Sequence, residues 1–573
     1  MTTPSESFRR TITVKHFRSW IPAATVSLAT ALLIVSPFFW RGNASGHDIS
    51  FHAASWLDAA GQWKEGIFYP RWCEWANYGF GEPRFLFYPP LSWMLGAALS
   101  LVLPGNAVPG VFIVLVQTGA GISMYALARR FFPPRAAHFS CACYAANPYA
   151  LLIVYMRSDF AELLAWAFLP VLILAALQLS GLIENRWRSW PRVVAVFAVL
   201  FAAIWLCNAP AGVMASYSMA LVFAWAALAE KSLRPLLRGA AGLALGIGLA
   251  CFYLVPAAYE QRWVNITQAL ASGLQPTQNF LYTQINDPEH NLFNWIASSA
   301  AILLIVMVGI AALLSQRDAQ QDAISKERKE LWGVLLLLSA AATILMLRPT
   351  AFFWEHLPKL RFVQFPWRWM GILAVAYAFF GAAVRARRRA GWYWGLAVLL
   401  VSLGTGAFLV HSAWWDSDDI PSLQAGIAND QGFEGTDEYD PAADDHYNLP
   451  QNAPRIRVLA AEESDSAAPK AKIEIQRWTA EQKIVAVDAA GPARVALRLL
   501  NYPAWRVEVF HDGKISAAKE EDSNQVIGRV SAGTSVIQVH FARTPDRTAG
   551  AITTLAVIMI LVSMNWFGRS GRD

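Results

Sequence analysis

A carboxylate and an imidazole early in the chain have the types and spacing of a chemical site. Asp48 and His52 are four residues apart in Gly46-His47-Asp48-Ile49-Ser50-Phe51-His52, a separation that puts helical side chains on one face. A carboxylate and an imidazole so placed suit a general base with its orienting partner, or two ligands of a divalent metal. Asp48 is also a favoured helix N-cap, because Ile49 onward reads helical, and capping does not exclude chemistry. A second acidic group, Arg157-Ser158-Asp159-Phe160-Ala161-Glu162, follows an apolar stretch that ends near Tyr155. Asp159 and Glu162 are helix neighbours with Arg157 beside them. Such charges at a span boundary either pair as an interfacial cluster or face a polar cavity. In the second case they set another acid opposite Asp48. Asp48, Asp159 and Glu162 are therefore the candidate catalytic acids.

Cations recur at the outer span ends. Arg262 lies in Tyr259-Glu260-Gln261-Arg262, and Arg361 and Arg368 lie in Leu360-Arg361-Phe362-Val363-Gln364-Phe365-Pro366-Trp367-Arg368. Positive charge is expected on the cytoplasmic side, so topology does not account for these outer arginines. They could hold a lipid phosphate arriving from the bilayer. Arg368, between Trp367 and Trp369, fits an interfacial anchor nearly as well.

The elements that must position these groups are membrane spans. The chain is 55% hydrophobic and only 15% charged, against roughly 25% charged in soluble proteins. Its 25 Trp fit the same reading, since indoles favour the membrane interface. The net charge of +6 is no sign of nucleic-acid binding, because many basic residues fall in short connections on one side, where they set orientation. Cys141-Ala142-Cys143 is not a zinc spacing, and the five cysteines offer no disulfide framework.

The tail carrying Arg9, Arg10, Lys15 and Arg18 precedes an apolar run from about Trp20 to Phe39, read as an uncleaved anchor with a cytoplasmic N-terminus. The loop 41–106 follows outside, with Trp56, Trp63, Trp72, Trp75 and Trp93 among its charges, as in short helices at the interface. Leu91–Leu103 would make a helix about 20 Å long, short of the ~30 Å hydrocarbon core, so it is assigned to the surface. Spans follow near 108–127, 137–155, 162–181, 193–207, 211–228, 239–257, 296–315, 331–347, 368–384, 391–411 and 549–567. This alternation puts Arg186/Arg188/Arg192, Arg317/Lys326/Arg328, Arg385/Arg387/Arg388/Arg389 and Arg572 inside, and 258–295, 348–367 and 412–548 outside. The expected architecture is a polytopic α-helical membrane protein of about twelve spans with both termini cytoplasmic.

From about Arg455 the pattern turns to period-two alternation, as in Lys472-Ile473-Glu474-Ile475-Gln476, and Asp512-Gly513 is a hairpin signal. The chain thus divides into a transmembrane part (1–411), an extracytoplasmic antiparallel β-sandwich region (412–548), and a final span with its tail (549–573).

An outer loop opening on an acid, a Tyr88-Pro89-Pro90-Leu91 surface segment and a second acidic cluster after the third span resemble the GT-C polytopic glycosyltransferases. Within that group, Gly46-His47-Asp48, Asn77-Tyr78-Gly79-Phe80-Gly81-Glu82-Pro83, Phe87-Tyr88-Pro89-Pro90-Leu91, Gln364-Phe365-Pro366-Trp367-Arg368 and Gly435-Thr436-Asp437-Glu438-Tyr439 are similar to bacterial membrane proteins labelled "6-pyruvoyl-tetrahydropterin synthase-related". Asn501-Tyr502-Pro503-Ala504-Trp505-Arg506 resembles the Tyr-Pro-Gly-Trp of YfhO-like membrane proteins, with Ala504 in place of glycine. The resemblance implies a location in the bacterial cytoplasmic (inner) membrane. It also implies a polyprenyl-phosphate-linked sugar as donor and an envelope glycan or lipid as acceptor. By position Asp48 would be the base or help hold a divalent metal (Mg or Mn), with Asp159 or Glu162 as partner. The possible metal set is Asp48, His52 and Asp159, and His47, His52, Arg84, Arg157, Arg262, Arg361 and Arg368 would contact substrate. Some relatives begin the Pro-Pro segment with a lysine that meets the carrier phosphate. Here Phe87-Tyr88 precedes the prolines, so Arg84 is the expected replacement.

Two rival readings are a non-catalytic lipid-linked glycan transporter or flippase, and a GT-C-shaped scaffold. A transporter would want charges at mid-membrane depth and broken helices. The ionisable residues here gather at outer span ends instead, which favours surface chemistry, while Pro170 and Pro210 leave the transporter alive.

Overall fold

A computed structural model describes residues 20–185, 189–319, 326–387, 389–442, 449–462, 467–512, 514–517 and 523–570. The basic residues Arg9, Arg10, Lys15, Arg18, Arg186, Arg188, Arg388 and Arg572 fall outside these, as does Gly513 of the hairpin signal.

Long apolar helices dominate: α1 (Ile21–Val35), α2 (Ile49–Lys64), α3 (Pro90–Ser100), α4 (Val108–Ala128), α5 (Pro134–Ala145), α6 (Phe160–Ser180), α7 (Trp190–Cys207), α8 (Ala209–Glu230), α9 (Arg234–Glu260), α10 (Pro288–Ala319), α11 (Lys326–Leu345), α12 (Ala351–His356), α13 (Met370–Arg385), α14 (Arg389–Ser412) and, last in the chain, α15 (Pro545–Ser570). Eleven helical stretches among the described residues are long and apolar enough to cross a membrane, and a bent pair makes up to twelve. The bent pair is the expected 331–347 span: Lys326–Leu345 runs on into Arg348–His356 after a 91° turn. α3 has 11 residues, too short to span, as expected of Leu91–Leu103. It packs on α2 instead.

The expected third span is not one continuous α-helix. α5 ends at Ala145, the chain restarts at Pro148, and Ile153–Arg157 is a π-helical turn in which Ser158 N donates to Ile153 O at 2.7 Å. Ser158 then takes a left-handed conformation at φ 54°. Single π turns are concentrated at functional sites, because they re-aim the side chains around them. Here the turn points Arg157 and Asp159 into one space. α13 is the central helix, with every residue from Met370 to Val384 buried. Its N-terminal turn, Pro366–Trp369, carries Arg368.

Strands β1 (Asn43–Ala44) and β2 (Trp415–Asp416) pair and close the first loop against the end of α14. The C-terminal region has β3 (Ile456–Ala460), β4 (Ala471–Thr479), β5 (Gln482–Ala489), β6 (Ala493–Leu500), β7 (Trp505–His511), β8 (Lys514–Ala517), β9 (Gln525–Val530) and β10 (Gly533–Phe541). One antiparallel sheet runs β4-β5-β10-β7-β8 and the other β3-β6-β9. His511 pairs with Lys514, and Asp512 has φ 49°, the left-handed start that a two-residue hairpin turn demands. Val485, Val509 and Ile537 of one sheet share a core with Val495, Leu497 and Val526 of the other. That core also takes in Trp72, Phe80, Leu86 and Phe87 of the first loop. The β region is therefore built onto the loop.

Candidate functional site

The Gly46-His47-Asp48 turn is fastened by backbone to the π turn. Gly46 N donates to Ser158 Oγ at 3.0 Å, Ser158 Oγ donates to Ala44 O at 2.9 Å, and Asp48 N donates to Arg157 O at 2.8 Å. A Cβ on Gly46 would lie 2.4 Å from Arg157 C, so only glycine permits this approach. Asp48 occupies the N-cap position of α2, but its side chain makes no capping bond. Instead Asp48 Oδ2 accepts from Arg157 Nη2 at 2.9 Å.

Arg157 is the hub. Nη2 also lies 3.2 Å from Asp159 Oδ2, and Nη1 donates to Glu162 Oε2 at 3.1 Å. Arg368 approaches the same two acids, with Nη2 3.4 Å from Asp159 Oδ2 and Nε 3.0 Å from Glu162 Oε2. Its Nη1 donates to Val363 O at 2.9 Å, which pins it to the preceding loop. Glu162 is fully buried and also accepts from Tyr149 Oη and, at 3.0 Å, from Trp166 Nε1. Asp159 accepts from Glu162 N at 2.9 Å, which makes it the side-chain cap of α6. Burial alone would raise the Asp159 pKa; Arg157, His52 and Arg368 outweigh it and hold that carboxyl well below the usual range.

Three carboxylates meet two guanidiniums, leaving one surplus negative charge. Side-chain exposure is 5% for Arg157 and Arg368, 4% for Asp159 and 0% for Glu162, but 34% for Asp48. Asp48 is thus the one acid of the cluster that reaches a surface. The buried members form a fixed wall behind it, and removing one partner from such a buried pair costs about 3–5 kcal/mol.

Of the predicted residues, Asp48, Arg157, Asp159, Glu162 and Arg368 come together, with His52 at the edge. His52 does not orient Asp48; its Nε2 is 3.8 Å from Asp159 Oδ1. His47 packs its ring edge-on against Phe293 at 4.6 Å. Arg84 is diverted. Buried, it ties Glu82 Oε1 (2.6 Å), Ser55 Oγ (3.1 Å) and Thr436 Oγ1 (3.0 Å) together, which joins the loop to the 435–439 motif and replaces the expected phosphate contact. Arg262 and Arg361 make no ion pair with the cluster among the described residues. Both are exposed, over Tyr259 at 3.9 Å and Phe362 at 5.0 Å. Tyr149, Trp166 and Ser158 escaped the sequence reading because each lies in an apolar or turn context that marks no chemistry.

The metal set does not converge. Among the described residues no group of three His, Cys, Asp or Glu side chains is placed to hold a cation. Arg157 Nη2 already pairs with both Asp48 and Asp159, at 2.9 and 3.2 Å. The residues present do not fit a resident Mg or Mn.

Residues 85–416 match the family model described as "6-pyruvoyl-tetrahydropterin synthase related domain; membrane protein". The chain belongs to this family. No curated protein matches it. Among solved structures it is similar to the arabinofuranosyltransferase AftD from Mycobacteria, at 17% identity and TM-score 0.42 over 68% of this chain and 27% of that one. It is also similar to ArnT from Cupriavidus metallidurans bound to undecaprenyl phosphate, at 12% identity and TM-score 0.30 over 71% of this chain and 79% of that one. This chain thus spans about a quarter of AftD. The fold described above stands on its own helices and sheets, since neither likeness is high.

Proposed function

We propose that this member of the family is an integral-membrane glycosyltransferase. It takes a sugar from a polyprenyl-phosphate carrier and passes it to an envelope glycan or lipid acceptor at the outer membrane face. The observation that carries the proposal is Asp48: a partly exposed carboxylate, fixed through one oxygen by a buried arginine, at the mouth of an otherwise buried cluster. That arrangement suits a general base, typically worth 10²–10⁴ in rate. The acceptor hydroxyl would attack the anomeric carbon while the bond from that carbon to the carrier phosphate oxygen breaks. Its proton passes to Asp48, and the polyprenyl phosphate leaves. The surplus negative charge favours a neutral hydroxyl over a phosphate beside Asp48. The departing phosphate would meet the exposed guanidinium of Arg262 or Arg361, which requires their loops to come within reach of the anomeric carbon beside Asp48. An apolar groove of about 600 Å³ between α1 and α4 is lined by Leu32, Phe38, Val111 and Leu115, with Asn43, Asn106 and Ser417 as its polar lining. It supports a donor with a hydrocarbon tail.

In this reading loop 41–106 and the β region are extracytoplasmic and both termini are cytoplasmic. The test compares membrane lipids and surface glycans by mass spectrometry in cells lacking the gene, restored with wild type or with Asp48→Asn at matched protein level. The expected result is a missing glycan sugar and accumulated lipid-linked sugar in the deletion, with no rescue by the variant. Full rescue would overturn the assignment.

A further inference from the structure

Away from the acid cluster, a cavity of about 130 Å³ lies where α9, the start of α15 and the first loop meet. Three arginines line it, Arg71 from the loop and Arg543 and Arg547 from the end of the β region and the first turn of α15, and no acidic residue does. Each arginine is held differently. Arg547 is buried and aimed by Glu260, through Nε–Oε1 at 2.7 Å and Nη2–Oε2 at 2.9 Å. Arg71 has one ion pair, to Glu481 at 3.2 Å. Arg543 is exposed and forms no ion pair among the described residues. The rest of the wall is apolar and aromatic, including Leu86, Phe252 and Tyr69. Phe252 belongs to the span-length helix Arg234–Trp263, and Arg547 to Pro545–Trp566, so one side of the cavity borders hydrocarbon.

We propose that this cavity is a binding site for the phosphate headgroup of a membrane lipid, distinct from the Asp48 site. Glu260 and Glu481 partner Arg547 and Arg71 from behind the wall, so Arg543 supplies the charge that attracts an anion and the other two guanidiniums add N–H donors beside it. Guanidiniums match phosphate oxygens with forked hydrogen bonds. The apolar wall from two adjoining spans gives the lipid chains a place to lie, which a free phosphate ion would not need. The three arginines come from the loop, the β region and the last span, so a bound headgroup would tie together three parts of the fold. The proposal does not rest on the glycosyltransferase reading and survives its failure.

The test uses the full-length protein reconstituted in nanodiscs of phosphatidylcholine with a minor fraction of phosphatidylglycerol, then released for native mass spectrometry. Wild type is expected to retain phosphatidylglycerol in preference to phosphatidylcholine. Arg543→Gln should lower that retention about fivefold, the order expected for one cation at a lipid surface, and Arg71→Gln should act in the same direction. Arg234→Gln, at the opposite end of α9, should leave retention unchanged. Arg543 is exposed, so its variant is expected to keep the wild-type melting temperature. Equal retention by Arg543→Gln and wild type would overturn the proposal. So would an equal loss in Arg234→Gln, or displacement of the lipid by millimolar inorganic phosphate, which would show a free-anion site.

Discussion

Asp48→Asn and Glu162→Gln remove the same charge from one cluster, yet the structure predicts opposite kinds of damage. Asp48 is 34% exposed and held through a single oxygen by Arg157. An ion pair open to solvent is worth about 0.2–1 kcal/mol, and less once screened. Asparagine keeps the shape and an acceptor oxygen, so the melting temperature should move little. What is lost is the base, so turnover should fall about 10²–10⁴-fold. Glu162 is fully buried and takes four donors, from Arg157, Arg368, Tyr149 and Trp166. Glutamine there takes a buried charged acceptor from both guanidiniums and turns an amide donor toward groups that all donate, a loss of about 3–5 kcal/mol. Its chief effect should be lower thermal stability and lower membrane abundance. The assay pairs melting by fluorescence-detected size exclusion with glycan mass spectrometry normalised to folded protein. The reasoning fails if Asp48→Asn melts as early as Glu162→Gln, because Asp48 would then be part of the clamp. It fails equally if folded Asp48→Asn supports the wild-type glycan.

Three further outcomes are expected. Gly46→Ala should displace the first loop from the π turn and abolish rescue with normal membrane insertion, since its Cβ would meet Arg157 C at 2.4 Å and Ser158 N at 2.6 Å; rescue at the wild-type level would show that the loop moves freely. Burial, partly opposed by hydrogen bonds from Trp75 N and Gln62, raises the Asp58 pKa to about 7. Between about pH 4 and pH 7 the folded state therefore holds a proton that the unfolded state has lost, so this group's contribution to stability falls as pH rises through that window and levels off above it. Asp58→Asn should match wild type in melting temperature near pH 5 and exceed it near pH 8, and a constant difference across that range would contradict the assignment. Tyr502 Oη donates to Glu260 Oε2 at 2.6 Å, so Tyr502→Phe should cost about 1.5–3 kcal/mol and speed limited proteolysis of the β region, with unchanged cleavage arguing against that clasp.

Much of the plan is written locally. Apolar runs long enough for hydrocarbon and period-two alternation after Arg455 are short-range patterns that geometry alone converts into spans and strands. Asp48, Arg157, Asp159, Glu162 and Arg368 were legible for the same reason, because ionisable groups beside apolar segments must find partners.

Which partners they find was not legible. Asp48 and Arg157 are 109 residues apart, and Arg368 and Asp159 are 209 apart. Their meeting depends on a π turn and a left-handed Ser158 that no propensity announces. Arg84, Arg262 and Arg361 looked equivalent to Arg157 in sequence, and only packing separated them: Glu82 captures one, and the other two stay on exposed loops. Asp48 and His52 do not pair, because helical spacing fixes a shared face but not what lies opposite it, and Asp159 lies opposite His52. The sequence by itself determined that charges would gather at one end of a membrane bundle. The tertiary structure decided which of them are buried as a clamp and which one is left open, because burial depends on every neighbouring element at once.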